Sequence, residues 1–347
     1  MSARAPPVEP WASLALTPTV AVVGLGGAGS EAVQDLVRLG IPGVRAIAMN
    51  TDALHLFHME VEERILLGQR ELRGRGSGGD RAVVLRAAED AKEETLRRLG
   101  RFEIVFLLAG LGGGTGSALL PYFSRALRET ETLAIPVVFL PFQVELDTNQ
   151  SRRENVEATV AELEEMGGLL LALDNEKLRR FETLPIHRVF QVRNAYLHAL
   201  VASLVDMVEN PSQLNVDLAS LKNHLREAGL STLITGEYHI SEPERLVHQA
   251  LSDSLLDFHL SERTSALVHL DGGSNLTLRT LDRVLRTMRQ RLGNPEQLVF
   301  GTRVRPEARE VVRLTAVVGG LRPRTVRDAL APRSPPGSPP PPPIAAR

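Results

Sequence analysis

Short apolar runs alternate with amphipathic stretches through the first half of the chain. Val20 to Val23, Val44 to Met49, Ile104 to Ala109, Ile135 to Leu140 and Leu169 to Leu173 are compact and rich in Val, Ile and Leu. That is the pattern of strands buried on both faces. Between them lie helical patterns. Ser30 to Leu39 puts Ala32, Val33, Leu36 and Val37 on one face, and Arg81 to Leu99 is long and highly charged. Buried strands alternating with helices predict a doubly wound parallel sheet in an α/β domain. Val189 to Val208 is the longest helical pattern, apolar around much of its circumference, and reads as a central helix buried between two domains. Beyond it the rhythm changes. Strands at Ser265 to Leu270, Gln297 to Val304 and Val311 to Val318, with helices at Pro243 to Phe258 and Leu276 to Leu292, predict a smaller α+β domain. The expected organisation is an arm over 1–18, the α/β domain over 19–188, the central helix over 189–212, the α+β domain over 213–320, and a basic Pro-rich tail over 321–347.

Glycine interrupts this pattern at three places. Gly110-Leu111-Gly112-Gly113-Gly114-Thr115-Gly116-Ser117 follows an apolar strand and opens a helix. Bare backbone at a helix start gathers N–H groups and a partial positive charge around one point, and side chains would block close approach. The ligand this geometry suits is a phosphate chain. No Gly-Lys-Ser/Thr string of a Walker-type loop occurs. Gly24-Leu25-Gly26-Gly27-Ala28-Gly29 lies between the first strand and first helix, and alone it matches a dinucleotide-binding fingerprint. With Asn50-Thr51-Asp52 at the end of the next strand, it keeps a nicotinamide-linked oxidoreductase open as a rival. Two glycine loops point instead to a triphosphate gripped from two sides. The third loop, Gly74-Arg75-Gly76-Ser77-Gly78-Gly79, suits an outermost phosphate through backbone N–H groups or Ser77, or is a surface turn.

Composition narrows the classes. The 347 residues are 43% hydrophobic and 24% charged with a net charge of −2, so nothing advertises a nucleic-acid or membrane surface. The absence of cysteine excludes disulfides, thiolate catalysis and thiolate-bound metal. No apolar run approaches the ~20 residues of a membrane span, and the N-terminus has no secretory pattern. A cytoplasmic protein is expected.

Taken in order, the motifs resemble the FtsZ/tubulin superfamily over roughly residues 18–320. These are the first glycine loop with Ala48 to Asp52, the Gly74–Gly79 loop, and the Gly110–Ser117 signature. They continue with Pro141 to Glu145, Phe190 followed by Asn194, Asn215-Val216-Asp217, and the late segments Leu267 to Gly273 and Val299-Phe300-Gly301. The resemblance implies a GTP-binding domain, GTP or GDP as cofactor, and Mg²⁺ held mainly by phosphates with no protein metal site. It also implies head-to-tail assembly of the chain with itself. A second FtsZ or a tail-binding division protein are further partners it brings in. Gly26, Gly27 and Gly29 would approach the inner phosphates, with Asn50 nearby. Gly112, Gly113, Gly114, Thr115 and Gly116 would cradle the phosphate chain, and Gly76, Ser77 and Gly78 its end. Glu145 would accept from ribose hydroxyls, with Arg153 as neighbour. Phe190 would stack on the base, Asn194 would read its edge, and Glu31 would accept from guanine N1–H and N2–H. Asn215 and Asp217 would act catalytically on the next subunit's nucleotide.

Three departures stand out. Ser220 stands where the family usually has a second Asp, which implies slow hydrolysis or a catalytically weak, co-assembling paralogue. The connection from Glu145 to Arg152-Arg153 is longer than usual. The tail ends in a proline run rather than an apolar, basic docking peptide.

Overall fold

The computed structural model describes residues 20–209, 217–322 and 324–331. The strands are β1 Val20–Leu25, β2 Val44–Asn50, β3 Glu63–Leu66, β4 Ile104–Gly110, β5 Leu133–Leu140, β6 Leu170–Asp174, β7 Leu230–His239, β8 Ser265–Gly272, β9 Gln297–Val304 and β10 Val311–Gly319. The helices are α1 Gly26–Leu39, α2 Ala53–Phe57, α3 Gln69–Leu72, α4 Arg81–Asp90, α5 Lys92–Leu99, α6 Gly114–Arg128, α7 Gln143–Thr148, α8 Gln150–Met166, α9 Ile186–Glu209, α10 Leu218–Glu227, α11 Pro243–Ser252, α12 Leu278–Arg291 and α13 Arg324–Leu330.

The strands form one sheet in the order β3-β2-β1-β4-β5-β6-β7-β10-β8-β9. From β3 to β7 every pairing is parallel; β10 runs antiparallel to β7 and β8, and β8 pairs parallel with β9. Alternation along each strand divides its side chains between two cores. Val20, Val22, Phe106 and Leu108 pack with Ala32, Val33 and Leu36 of α1 and Leu197, Leu200 and Leu204 of α9. Ala21, Val23, Val105 and Leu107 face the other way, onto Val84 of α4, Leu119 and Phe123 of α6, and Val156 and Val160 of α8. A third cluster joins β7, β8 and β10 to α11 and α12. The doubly wound sheet, central helix and smaller α+β portion are therefore present as expected.

Several elements differ in detail. The charged stretch Arg81 to Leu99 is two helices. Ala91 leaves helical geometry (φ −99°, ψ 2°), and the break re-aims the chain so that Thr95 and Leu99 are buried. Helix α11 stops at Ser252 because the following residues turn, with the Ser254 hydroxyl donating to the Leu256 carbonyl at 2.8 Å. Strand β7 escapes the apolar pattern because its second half, from Gly236 to His239, is only partly covered.

Order reversal places a crevice at the carboxyl ends of β1 and β4, the switch point where α/β sheets bind ligands. Both principal glycine loops leave the sheet there. Gly29 lets α1 approach the sheet closely: a Cβ there would sit 2.1 Å from the Leu108 carbonyl oxygen.

Candidate nucleotide site

The sequence builds the crevice from two bare helix starts. Helix α1 opens at Gly26 and α6 at Gly114, and neither has a side-chain cap, whereas α2, α4, α8, α10 and α12 are each capped by Asp, Asn or Thr. Their first N–H groups are left for a ligand. Gly26 is left-handed (φ +72°), and a Cβ on it would press to 2.9 Å from the Gly116 nitrogen, so the two loops touch through main chain. The Ser117 hydroxyl pins the second loop by accepting from the Gly112 N–H at 2.9 Å.

The third glycine loop closes onto this pair. A Cβ on Gly114 would lie 2.4 Å from the Ser77 hydroxyl. Thr115 Oγ1 lies 2.8 Å from Thr51 Oγ1 and 3.4 Å from Ser77 Oγ. Asn155 of α8 ties the loops together, donating to the carbonyls of Gly79 and Gly112 at 3.0 and 3.2 Å.

The resulting cavity holds about 260 Å³. Of the residues expected from sequence, Gly27, Glu31, Gly113, Gly114, Thr115, Gly116, Glu145 and Phe190 line it. Gly26, Gly29 and Gly112 stand one layer behind as packing glycines; Ser77 meets the start of α6 from outside the wall, Gly76 faces Asp52, and Gly78 is open. Asn50 is buried, with Oδ1 accepting from the Thr51 N–H at 2.8 Å and its amide nitrogen 3.3 Å from His55 Nδ1. Asn215 lies outside the described residues.

Two placements differ from the sequence reading. Arg153 does not reach the wall; it pairs with Asp147 at 2.9 Å. Arg152 lines the cavity instead and bonds Glu145 at 2.9 Å. The residues after Glu145 finish α7 and begin α8, with both arginines in the first turn of α8. Asn194 is 2% exposed, also off the wall. Its amide nitrogen donates to Asp35 Oδ2 at 2.7 Å, and its oxygen accepts from Arg193.

The base end of the cavity was only partly visible from sequence. Phe190, Phe139, Asn175 and Arg193 meet there. The Arg193 guanidinium lies 3.8 Å from the Phe139 ring centre and 5.1 Å from that of Phe190, and it donates to Asn175 at 3.2 Å. Burial lowers its pKa to about 10, against the pull of Glu31 and Asp35. Its place three residues after Phe190, on the same helical face, was the sequence signal for it. At the rim, His55 Nε2 lies 3.5 Å from Glu31, and this hydrogen bond raises the histidine pKa despite partial burial.

Asp217 lies at the other pole. It caps α10, accepting from the Ser220 N–H at 2.9 Å and the Ser220 hydroxyl at 2.6 Å, bonds that hold its carboxyl below the usual range. Helix α10 anchors at the amino ends of the strands: Lys222 bonds Glu103 at 2.9 Å, just before β4, and the Glu131 carbonyl at 2.6 Å, just before β5. Among the described residues, no cluster of His, Asp or Glu suits a metal ion, and no helix is long and apolar enough to cross a membrane.

Uncapped helix starts at a switch point, with aromatic rings at one end, define a nucleotide-binding α/β protein. The Tubulin/FtsZ family GTPase domain matches residues 19–183, and the FtsZ family C-terminal domain matches 229–322. The cell division protein FtsZ of Methanothermobacter thermautotrophicus is 31% identical over 303 residues, covering 87% of this chain and 79% of that one. An empty FtsZ dimer of M. jannaschii superposes with a TM-score of 0.76 at 30% identity, covering 90% of this chain and 93% of that one. The GTPγS-bound protofilament of Haloferax volcanii CetZ2 shares the fold, with a TM-score of 0.76 at 22% identity over 90% of this chain and 96% of that one. The chain belongs to the FtsZ family of GTPases. That membership removes the nicotinamide reading of the first glycine loop.

Proposed function

We propose that this chain binds GTP in the crevice, assembles head to tail with itself in the cytoplasm, and hydrolyses the nucleotide slowly where protomers meet, in a division or cytoskeletal filament. One observation carries this reading. The cavity and Asp217 sit at opposite ends of the same rigid body. Phe190 and Arg193 of α9 line the cavity, while the chain reaches Asp217 only after α9 ends at Glu209. At 1.5 Å per residue the helix from Phe190 to Glu209 spans about 28 Å, and the contacts of α10 at the amino ends of β4 and β5 agree. A protomer cannot bring its own Asp217 to its own nucleotide. The neighbour's Asp217, with Asn215, supplies the polar groups that orient the attacking water. Such a heterologous contact repeats into an open filament.

Within the cavity, the free N–H groups of α1 and α6 hold the phosphates, Glu145 takes ribose hydroxyls beside Arg152, and Phe190 stacks on the base. The acidic residues in the wall are Glu31, which bonds His55, and Glu145, which pairs with Arg152. Mg²⁺ would therefore take its ligands mainly from the phosphates. Ser220 favours the weakly catalytic version: its hydroxyl is spent on Asp217. Sedimentation with GTP, run beside phosphate release, tests the proposal. GTP-dependent pelleting with slow release is expected; a chain that binds no guanosine nucleotide and stays monomeric at high concentration refutes it.

A further inference from the structure

We propose that Arg193 is the specificity-determining residue of the base site, reading the O6/N7 edge of guanine with two N–H groups. The inference rests on the GTP-binding reading of the cavity and names which side chain enforces it.

The guanidinium is 4% exposed and lines the cavity. It makes no ion pair among the described residues. A desolvated cation that feels Glu31 and Asp35 but pairs directly with neither is costly to keep, and stacking on the Phe139 and Phe190 rings offsets only part of that. Its hydrogen bonds are nearly all specified. Nε and Nη2 each donate to Asn194 Oδ1 at 3.2 and 3.1 Å, and Nη1 donates to Asn175 Oδ1 at 3.2 Å. A guanidinium carries five N–H groups, so one remains on each terminal nitrogen. Two parallel donors match the O6 and N7 acceptors of guanine. Adenine presents an amino group in place of O6 and would set donor against donor. Asn194 cannot make this contact, because its amide nitrogen is held by Asp35 at 2.7 Å; with Asn175, it serves to fix the guanidinium plane. Glu31, in the same wall, supplies the complementary acceptors for N1–H and N2–H.

The test is an analogue series measured by calorimetry on the full chain: GTP, 7-deaza-GTP, 6-thio-GTP and ATP. Wild type should bind GTP roughly 10-fold tighter than 6-thio-GTP, which keeps N1–H, N7 and the 2-amino group but puts a weak sulfur acceptor in place of O6, and measurably tighter than 7-deaza-GTP. Arg193→Lys, which keeps charge and loses the fork, and Arg193→Met should bring the GTP to 6-thio-GTP and GTP to 7-deaza-GTP ratios close to one. Melting without nucleotide identifies a variant that has not folded, and the wild-type series decides the question without any variant. Equal binding of GTP, 7-deaza-GTP and 6-thio-GTP to wild type overturns the assignment of Arg193 while leaving the site a GTP site. Failure of wild type to bind any guanosine nucleotide overturns both.

Discussion

Replacing Ser220 by aspartate should speed hydrolysis, and the geometry around Asp217 says by how much. Both oxygens of that carboxylate are engaged by one residue, Oδ1 by the Ser220 N–H at 2.9 Å and Oδ2 by its hydroxyl at 2.6 Å. The bonds depress the acid's pKa, so the group that must draw on a water is both a weaker base and partly occupied. Ser220→Ala removes the side-chain bond and keeps the backbone cap; turnover should rise about two- to fivefold as Oδ2 is freed. Ser220→Asp removes the same bond and adds a second carboxylate in the first turn of α10, where the helix dipole favours an acid. A positioned acid–base group contributes typically 10²–10⁴-fold. Part of that is offset by repulsion between two close carboxylates, so a gain of roughly 10- to 100-fold is expected. The assay is steady-state phosphate release per protomer above the assembly threshold, with pelleting used to compare variants at equal polymer mass. If Ser220→Asp assembles normally and turns over no faster than wild type, the reasoning fails. If Ser220→Ala matches it, the tether rather than the missing charge limits the rate.

Three further outcomes follow from the same contacts. Gly114→Ala would drive a Cβ to 2.4 Å from Ser77 Oγ and 2.8 Å from the Gly79 backbone; nucleotide affinity should fall at least about tenfold by titration, with a smaller change in the apo melting temperature. His269 is buried on β8 beside Arg305, which lowers its pKa to about 4 from 6.5. The unfolded chain therefore binds the proton first as pH falls, and stability lost between pH 6.5 and 4 should reach roughly 3 kcal/mol; urea titrations at the two ends should find this loss absent in His269→Gln. Asp206 of α9 pairs with Arg303 and, at 2.8 Å, with Arg305. Asp206→Ala should destabilise by roughly 2 kcal/mol in the same assay, because Arg303 loses its ion pair while Arg305 keeps Asp271 at 2.7 Å.

The sheet and the phosphate end of the site were legible because they rest on local rules. Val20 to Leu25 and Ile104 to Gly110 are buried on both faces and read as continuous apolar runs, and a phosphate needs main chain, which glycine announces in the sequence. The base end was less legible because it depends on rotation about α9. Phe190 was found by its spacing, yet the side chain presented beside it is Arg193, three residues on, rather than Asn194, four residues on. Both offsets bring residues to one helical face. The choice is made by Asp35 of α1, which draws the Asn194 amide into the core, and no one-dimensional pattern records that contact. The same holds for Arg152 and Arg153, whose partners are set by where α8 begins, after its Asn149 cap.

These placements explain how one rigid body can hold a nucleotide without consuming it. The phosphate cradle is complete within a protomer: α1 and α6 supply the donors, and Asn155, Ser117 and Thr51 fix the loops from behind. The carboxylate is fixed just as firmly, but to the amino ends of the strands, through Lys222 to Glu103 and Glu131. The seven residues of β4 separate these poles, at about 3.3 Å each, too far for side-chain motion to close. On the proposed reading, binding is a property of the monomer and hydrolysis a property of the contact between monomers. Substitutions in the glycine loops should therefore lower affinity at any protein concentration, whereas substitutions at Asp217 and Ser220 should leave monomer affinity intact and change only what happens after assembly.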